Sequence, residues 1–219
     1  MKDFTIAGRC AATPPAQDWR EALARMLGAK PRRIGTWAEL GLYGALTCMA
    51  EAGEQALSPD AQIWLGSERG TYAATETVMA QMQDDLPMPL AFLQTQPSQL
   101  LALLAAQLGW NGHACFVAGA DPQALLRQAA AQCGAGGLLL GWVDEMQGGA
   151  TNWLRLLPGG KAAGACLPLA AEKLFSPEIT HVCIDGAGLH SCSSRAASLE
   201  SMVCDDRIRP FSNPPRSVA

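Results

Sequence analysis

Hydrophobic and polar positions along this chain switch between a period near two and a period near 3.6. Phe4 to Ala11 alternates weakly and predicts a first strand, which Thr13 to Pro15 breaks. From Asp18 to Leu27, the side chains Trp19, Leu23, Met26 and Leu27 share one side and predict a helix. Thr36 to Ala52 predicts a second helix. There Trp37, Leu40, Leu42, Leu46, Cys48 and Met49 mix with Gly41, Gly44 and Ala45, small residues that let a neighbouring element approach closely. Ala61 to Gly66 predicts a buried strand, and Ser67-Glu68-Arg69-Gly70 turns it into a helix running from about Thr71 to Gln83. Gln94 to Leu108, carrying Leu100, Leu101, Leu103, Leu104 and Leu108, predicts a further helix.

The stretch from Asn111 to Glu145 has the sharpest pattern. A short apolar run, Ala114 to Ala118, is followed by Gly119-Ala120-Asp121-Pro122. Ala124, Leu125, Leu126, Ala129, Ala130 and Cys133 then recur at helical spacing, and Gly136-Gly137 leads into a second apolar run, Leu138 to Val143. The prediction is strand, sharp turn, helix, strand. Asp121 stands at the junction as an N-cap, able to accept from free N–H groups of the first turn, with Pro122 suited to the first helical position.

Beyond Glu145 come a loop at 147–150, a short strand or turn over Asn152 to Leu157, a turn at 158–160 and a strand over Ala162 to Leu169. Ile179 to Ile184 predicts one more strand, Asp185 to Leu189 a Gly-rich turn, and Ser191 to Ser201 a short helix. Asp205 to Ala219, with three prolines, predicts an extended tail. Alternating strands and helices give an α/β class.

Composition sharpens this picture. The 219 residues are 49% hydrophobic and only 16% charged, against a usual charged share of about 25%. That apolar excess points to a surface that meets a partner. A net charge of −4 without a basic run, and 6% aromatic residues, argue against nucleic acid. Leu100 to Leu108 and Leu138 to Val143 are too short to span a bilayer. The first ten residues carry no apolar core of the secretory kind.

The eight cysteines are irregularly spaced, mostly within apolar runs, and make no CxxC pair. His113, His181 and His190 form no ligand-spaced set. The expectation is a reduced, cytoplasmic protein with no metal and no cofactor. Lys30-Pro31-Arg32-Arg33 reads as a solvated basic loop; its alternative role is a contact for an acidic acyl carrier protein.

The residues 112–145 resemble the nucleophile region of a β-ketoacyl synthase of the thiolase-like fold. In that family Gly-Pro opens a strand that ends in Thr-Ala-Cys, the Cys accepting the acyl group at a helix N-terminus, and a later strand ends in Gly-Gly-x-Glu. Here Gly112-His113, Gly119-Ala120-Asp121 and Gly141-Trp142-Val143-Asp144-Glu145 stand at those places, without gaps from Gly112 to Asp121. The turn Gly66 to Gly70 is similar to the family's Gly-rich step after its second strand, and Ala162 to Leu169 to the closing strand of its first half. Asp185-Gly186-Ala187-Gly188-Leu189 reads as a plain Gly-rich turn. If the resemblance extends there, Asp185 holds the position of the family's catalytic His.

The resemblance implies a thiolase-like N-terminal half over residues 1–175, a mixed five-stranded sheet with helices on both faces, with an extension over 176–219 and with Asp121 at the nucleophile position. A carboxylate is a poor thioester nucleophile, whereas a thiolate in the same place attacks well. Cys115 lies six residues earlier, inside the strand, and Cys133 near the far end of the helix. The family builds its core from two halves, so in a single half Leu125, Leu126, Ala129 and Ala130 would be wet on one side. The chain must fold its tail over them, dimerise, or bind a full synthase, and the composition favours the last two. The leading reading is therefore a non-catalytic, chain-length-factor-like subunit of aryl polyene or type II polyketide pathways. It would pair with an active synthase or with itself along the strand containing His113, Cys115, Phe116 and Val117. The alternatives are a hydrolase using Ser191, Ser193 or Ser194 with His190, and a purely structural scaffold. No GxSxG elbow is present to support the former.

Overall fold

The computed structural model describes residues 1–84, 89–160, 167–186 and 188–192. Eight strands form one sheet among them: β1 (Lys2–Ala12), β2 (Gln62–Ser67), β3 (His113–Ala118), β4 (Leu138–Asp144), β5 (Ala150–Pro158), β6 (Leu167–Pro168), β7 (His181–Asp185) and β8 (Gly188–Cys192). Their spatial order is β3-β2-β4-β5-β1-β7-β8-β6. The helices are α1 (Trp19–Leu27), α2 (Thr36–Glu51), α3 (Tyr72–Gln83), α4 (Pro89–Gln94), α5 (Ser98–Gln107) and α6 (Pro122–Gln132). β2 pairs in parallel with β3 and with β4, and the remaining pairs are antiparallel.

The α/β class and the helices on both faces match expectation; the strand count does not. Five strands, β3-β2-β4-β5-β1, make the expected mixed sheet, and β7, β8 and β6 continue it beyond β1. The strand between β4 and β1 is Ala150–Pro158, nine residues long, rather than the segment 162–169. Of that segment, 161–166 lie outside the described residues, and Leu167–Pro168 make a two-residue strand at the edge. Ser191 and Cys192 belong to β8 instead of starting a helix, while 193–201 fall outside the described residues. The helix expected over 94–108 begins only at Ser98, with α4 separate before it.

Side-chain alternation sorts the sheet's two faces into two cores. Ile63, Leu65, Leu139, Val143 and Trp153 face α1, α2 and α5, where Trp37, Leu46, Met49, Leu100 and Leu104 are buried. Trp64, Leu138, Leu140, Leu154 and Leu156 face α6. Helix α2 comes very near the sheet because it carries glycines at the contact: a Cβ at Gly44 would lie 2.1 Å from Thr151 Oγ1. The Trp37 indole Nε1 donates to Val143 O at 3.0 Å and ties the same helix to the end of β4.

Covering α6 needs no second chain. Leu125, Leu126, Ala129 and Ala130 are at most 1% exposed. They share their core with Leu169, Leu174, Ile179, Val182 and Leu189, which come from the segment after β5. The Gln123 side chain donates to Leu169 O across this contact. Lys2 Nζ donates to Ala130 O and Ala131 O at the far end of α6, where the last carbonyls lack helical partners. Of the three ways to cover this helix, the chain uses its own C-terminal segment.

Candidate functional site

The parallel strands β2, β3 and β4 end on one side of the sheet, the side where open α/β folds gather their functional groups. Each ends in one of the turns singled out in the sequence. After β3, Gly119 takes φ 72° and donates its N–H to Ser67 O at 2.9 Å, so the chain can reverse towards α6. Asp121 then adopts extended backbone (φ −79°, ψ 158°). Its Oδ1 accepts from Gln123 N at 2.8 Å and from Ala124 N at 2.9 Å, with Pro122 following it at the helix start. The N-cap reading of Asp121 is thus realised in both its hydrogen bonds.

The ends of β2 and β4 meet through Ser67, a fully buried polar residue. Its hydroxyl donates to Asp144 Oδ1 at 2.7 Å and accepts from Gly70 N at 2.7 Å. Asp144 Oδ1 also accepts from Glu68 N at 3.1 Å. Glu145 Oε1 accepts from Ala73 N at 2.8 Å, in the first turn of α3, where a carboxylate complements the unpaired N–H groups. Asp121, Asp144 and Glu145 therefore all spend oxygens on backbone donors, and each fixes the start of a helix or turn. Each of the three commits one carboxylate oxygen to these bonds.

The part played by Ser67 was not read from the sequence. The signal was there: one hydroxyl residue directly after the apolar run of β2, with an Asp closing β4. The thiols lie elsewhere. Burial pushes the Cys10 thiol up to about 12, with Glu51 adding to the shift. Burial likewise raises Cys48 well above its ordinary value and raises Cys133. Such thiols stay protonated and poorly nucleophilic at neutral pH. Cys115 Sγ lies 3.9 Å from Phe116 O within β3.

Among the described residues strand β3 is the outer strand, with β2 its one neighbour. His113 is exposed, and Cys115, Phe116 and Val117 are half-buried. Phe116 packs edge-on to Trp37 with centroids 5.8 Å apart, and His113 lies 6.0 Å from the Trp64 ring. The second flagged region forms the β7–β8 hairpin. There Asp185 Oδ1 accepts from Gly188 N at 3.1 Å and sits 3.3 Å from His190 Nε2. His190 and Ser191 are successive residues of β8, so their side chains leave opposite faces of the sheet. That geometry separates the Ser191–His190 pair; Ser193 and Ser194 lie outside the described residues. Among the described residues no group of His, Cys, Asp and Glu is arranged to hold a metal ion, and no helix is long and apolar enough to cross a membrane.

No protein-family model and no curated protein matches the chain. Solved structures do. A chain of the ketosynthase (ApeO) in complex with its chain length factor (ApeC) from Xenorhabdus doucetiae is 14% identical, with a TM-score of 0.57 over 87% of this chain and 99% of that one. A chain of AntDE:AntF, a type II polyketide synthase acyl-carrier protein in complex with its ketosynthase bound to the hexaketide, is 12% identical. Its TM-score is 0.52, over 71% of this chain and 63% of that one. The ishigamide ketosynthase/chain length factor is 13% identical with a TM-score of 0.49, covering 65% of this chain and 47% of that one. This chain shares the α/β fold of the Xenorhabdus and AntDE:AntF chains; it spans about half the length of the ishigamide chain and nearly all of the Xenorhabdus one.

Proposed function

We propose that this chain is a non-catalytic, chain-length-factor-like subunit that pairs with an active β-ketoacyl synthase in fatty acid or polyketide biosynthesis, of the aryl polyene type. The carrying observation is Asp121: at the turn where the resemblance calls for a nucleophilic Cys, its carboxylate is engaged by two backbone N–H groups. The likeness in fold to a chain of a ketosynthase–chain length factor complex, over nearly the whole of that chain, supports the same reading. In it, Asp121 is the degenerate nucleophile position, and Asp185 is a turn residue that holds the His position only if the likeness extends that far. His113, Cys115, Phe116 and Val117 line the seam with the partner, a synthase or a second copy. An acyl carrier protein is a further candidate partner, with the otherwise solvated Lys30–Arg33 loop as its alternative contact, and the complex works in the cytoplasm. Residues 1–175 act as the synthase-like domain and 176–219 as its extension.

Two measurements test this. Incubation of the purified chain with an acyl thioester, followed by intact-mass analysis, should show no stable adduct, and light scattering with the synthase of the same pathway should show a complex. A stoichiometric acyl adduct on any Cys overturns the non-catalytic assignment. A chain that stays monomeric with the synthase overturns the pairing.

A further inference from the structure

Helices α3 and α4 bury none of their side chains. Met79, Met82, Leu90, Phe92 and Leu93 are each between 50% and 60% exposed. Met79 and Met82 lie three apart on α3, and Leu90 and Leu93 three apart on α4, so each pair shares a helix face. The two helices pack on each other. This is a concentration of large apolar side chains of the kind that marks a contact surface, and Met, Leu and Phe suit an apolar groove. The face also adjoins β3: at the foot of α3, a Cβ on Gly70 would sit 3.5 Å from Phe116 Cζ.

Charge narrows the choice of occupant. From Gly70 to Leu126 the sequence has no Lys or Arg, and its acidic residues there include Glu76 and Asp84, which flank Met79 and Met82 on α3. Tyr72 Oη donates to Glu76 Oε1 at 2.7 Å, leaving a carboxylate beside the apolar face. Arg69 lies at the foot of α3, its guanidinium 5.8 Å from the Tyr72 ring; farther along, the charged residues next to Met79 and Met82 in sequence are Glu76 and Asp84, and a two-fold contact between identical copies would set those carboxylates against each other. A lipid surface fits no better, since anionic headgroups recruit basic helices.

We propose that the α3–α4 face docks a different protein, one that offers an apolar groove rimmed by Lys or Arg, and that it disfavours a second copy of this chain. This rests on the pairing with a synthase proposed above and adds to it the surface and the charge sign of the partner.

The test is calorimetric titration of the full chain into the full-length synthase of the same pathway, at low and at moderate salt. Met82→Glu and Phe92→Glu should each weaken binding at least tenfold, while Phe92→Leu should bind as the parent chain does. Glu76→Lys should weaken binding more at low salt than at high salt. Melting temperatures of all four variants should stay near that of the parent, because the side chains are exposed. If the parent binds and both Glu variants bind equally well, the docking face is wrong and the pairing stands. If the parent does not bind, both fall. A homodimer of the chain alone that Phe92→Glu disperses overturns the choice of a different protein.

Discussion

The two edges of the sheet are built in opposite ways. At one, β8 is followed outward by β6, two residues long, of which one is Pro168. A short strand with a proline offers few free donors, which is how sheets discourage further pairing. At the other, β3 is six residues of apolar and half-buried character, His-Ala-Cys-Phe-Val-Ala, with neither proline nor lysine. Its two side-chain faces are already used, Phe116 against Trp37 on one face and Cys115 and Val117 towards the α6 core on the other. Among the described residues, what β3 leaves unspent is its backbone edge. Among the described residues, one end of the sheet is guarded by a short proline-bearing strand and the other carries no such guard, which is the difference the proposed seam rests on.

The comparison can be broken most severely at the closed end. Leu174 is fully buried against α6, in the segment that leads to β7. Leu174→Ala should cost about 2–5 kcal/mol of stability by denaturant titration, the range for a buried leucine that leaves a cavity. If the loss is only a few tenths, the C-terminal segment is not the cover of α6.

At the open end, His113→Lys, at the exposed residue of the strand, should weaken association with the synthase tenfold or more, about 1.4 kcal/mol, because an edge lysine discourages strand pairing, while the binding-deficient variant still melts cooperatively. Unchanged association would show that β3 is not the seam.

Between the edges lies the frame at the strand ends. Asp121→Ala should cost roughly 0.5–2 kcal/mol, and Asp121→Asn less, since Asn also caps. Equal losses for the two would mean that the charge rather than the hydrogen bonds carries the effect.

The smallest change expected is Pro168→Val. Its melting temperature should move little, with a stability change within about 0.5 kcal/mol, but its light scattering should rise with concentration as the guarded edge is opened. A variant that stays as dispersed as the parent would remove Pro168 from the comparison.

Much of this was legible in the sequence because it is local. The strand, turn and helix from His113 to Gln132 follow from an apolar run, a glycine that can take positive φ, an Asp-Pro start and helical spacing, all within about twenty residues. Strand β5 was harder, since Arg155 interrupts its apolar pattern and suggests exposure. In the structure Arg155 is 2% exposed, its Nε 2.9 Å from Glu54 Oε2 and its Nη1 donating to Gly136 O at 3.0 Å. A buried cation is readable only when its distant partners are known. The hairpin β7–β8 was half visible: Ile179 to Ile184 marked the first strand, but polar His190 and Ser191 disguised the second. Pro97, which directly precedes α5, was taken as interior to a longer helix. The cover over α6 was missed for a different reason, as it joins residues 125–130 to residues 169–189, and no periodicity reports a contact at that separation.

The central place of β1 has a consequence for how the chain is made. Both of its neighbours come from much later in the sequence: Cys10 faces Trp153 of β5, and Phe4 faces Val182 of β7. At a synthesis rate of about 5–20 residues per second, the first strand waits on the order of 10–30 s for β5 to be made. During that interval its apolar face has α2 to pack against but no strand on either side. Strand β1 is thus made well before either strand that hydrogen-bonds to it, and the nascent chain holds it unpaired while residues 13–149 are made.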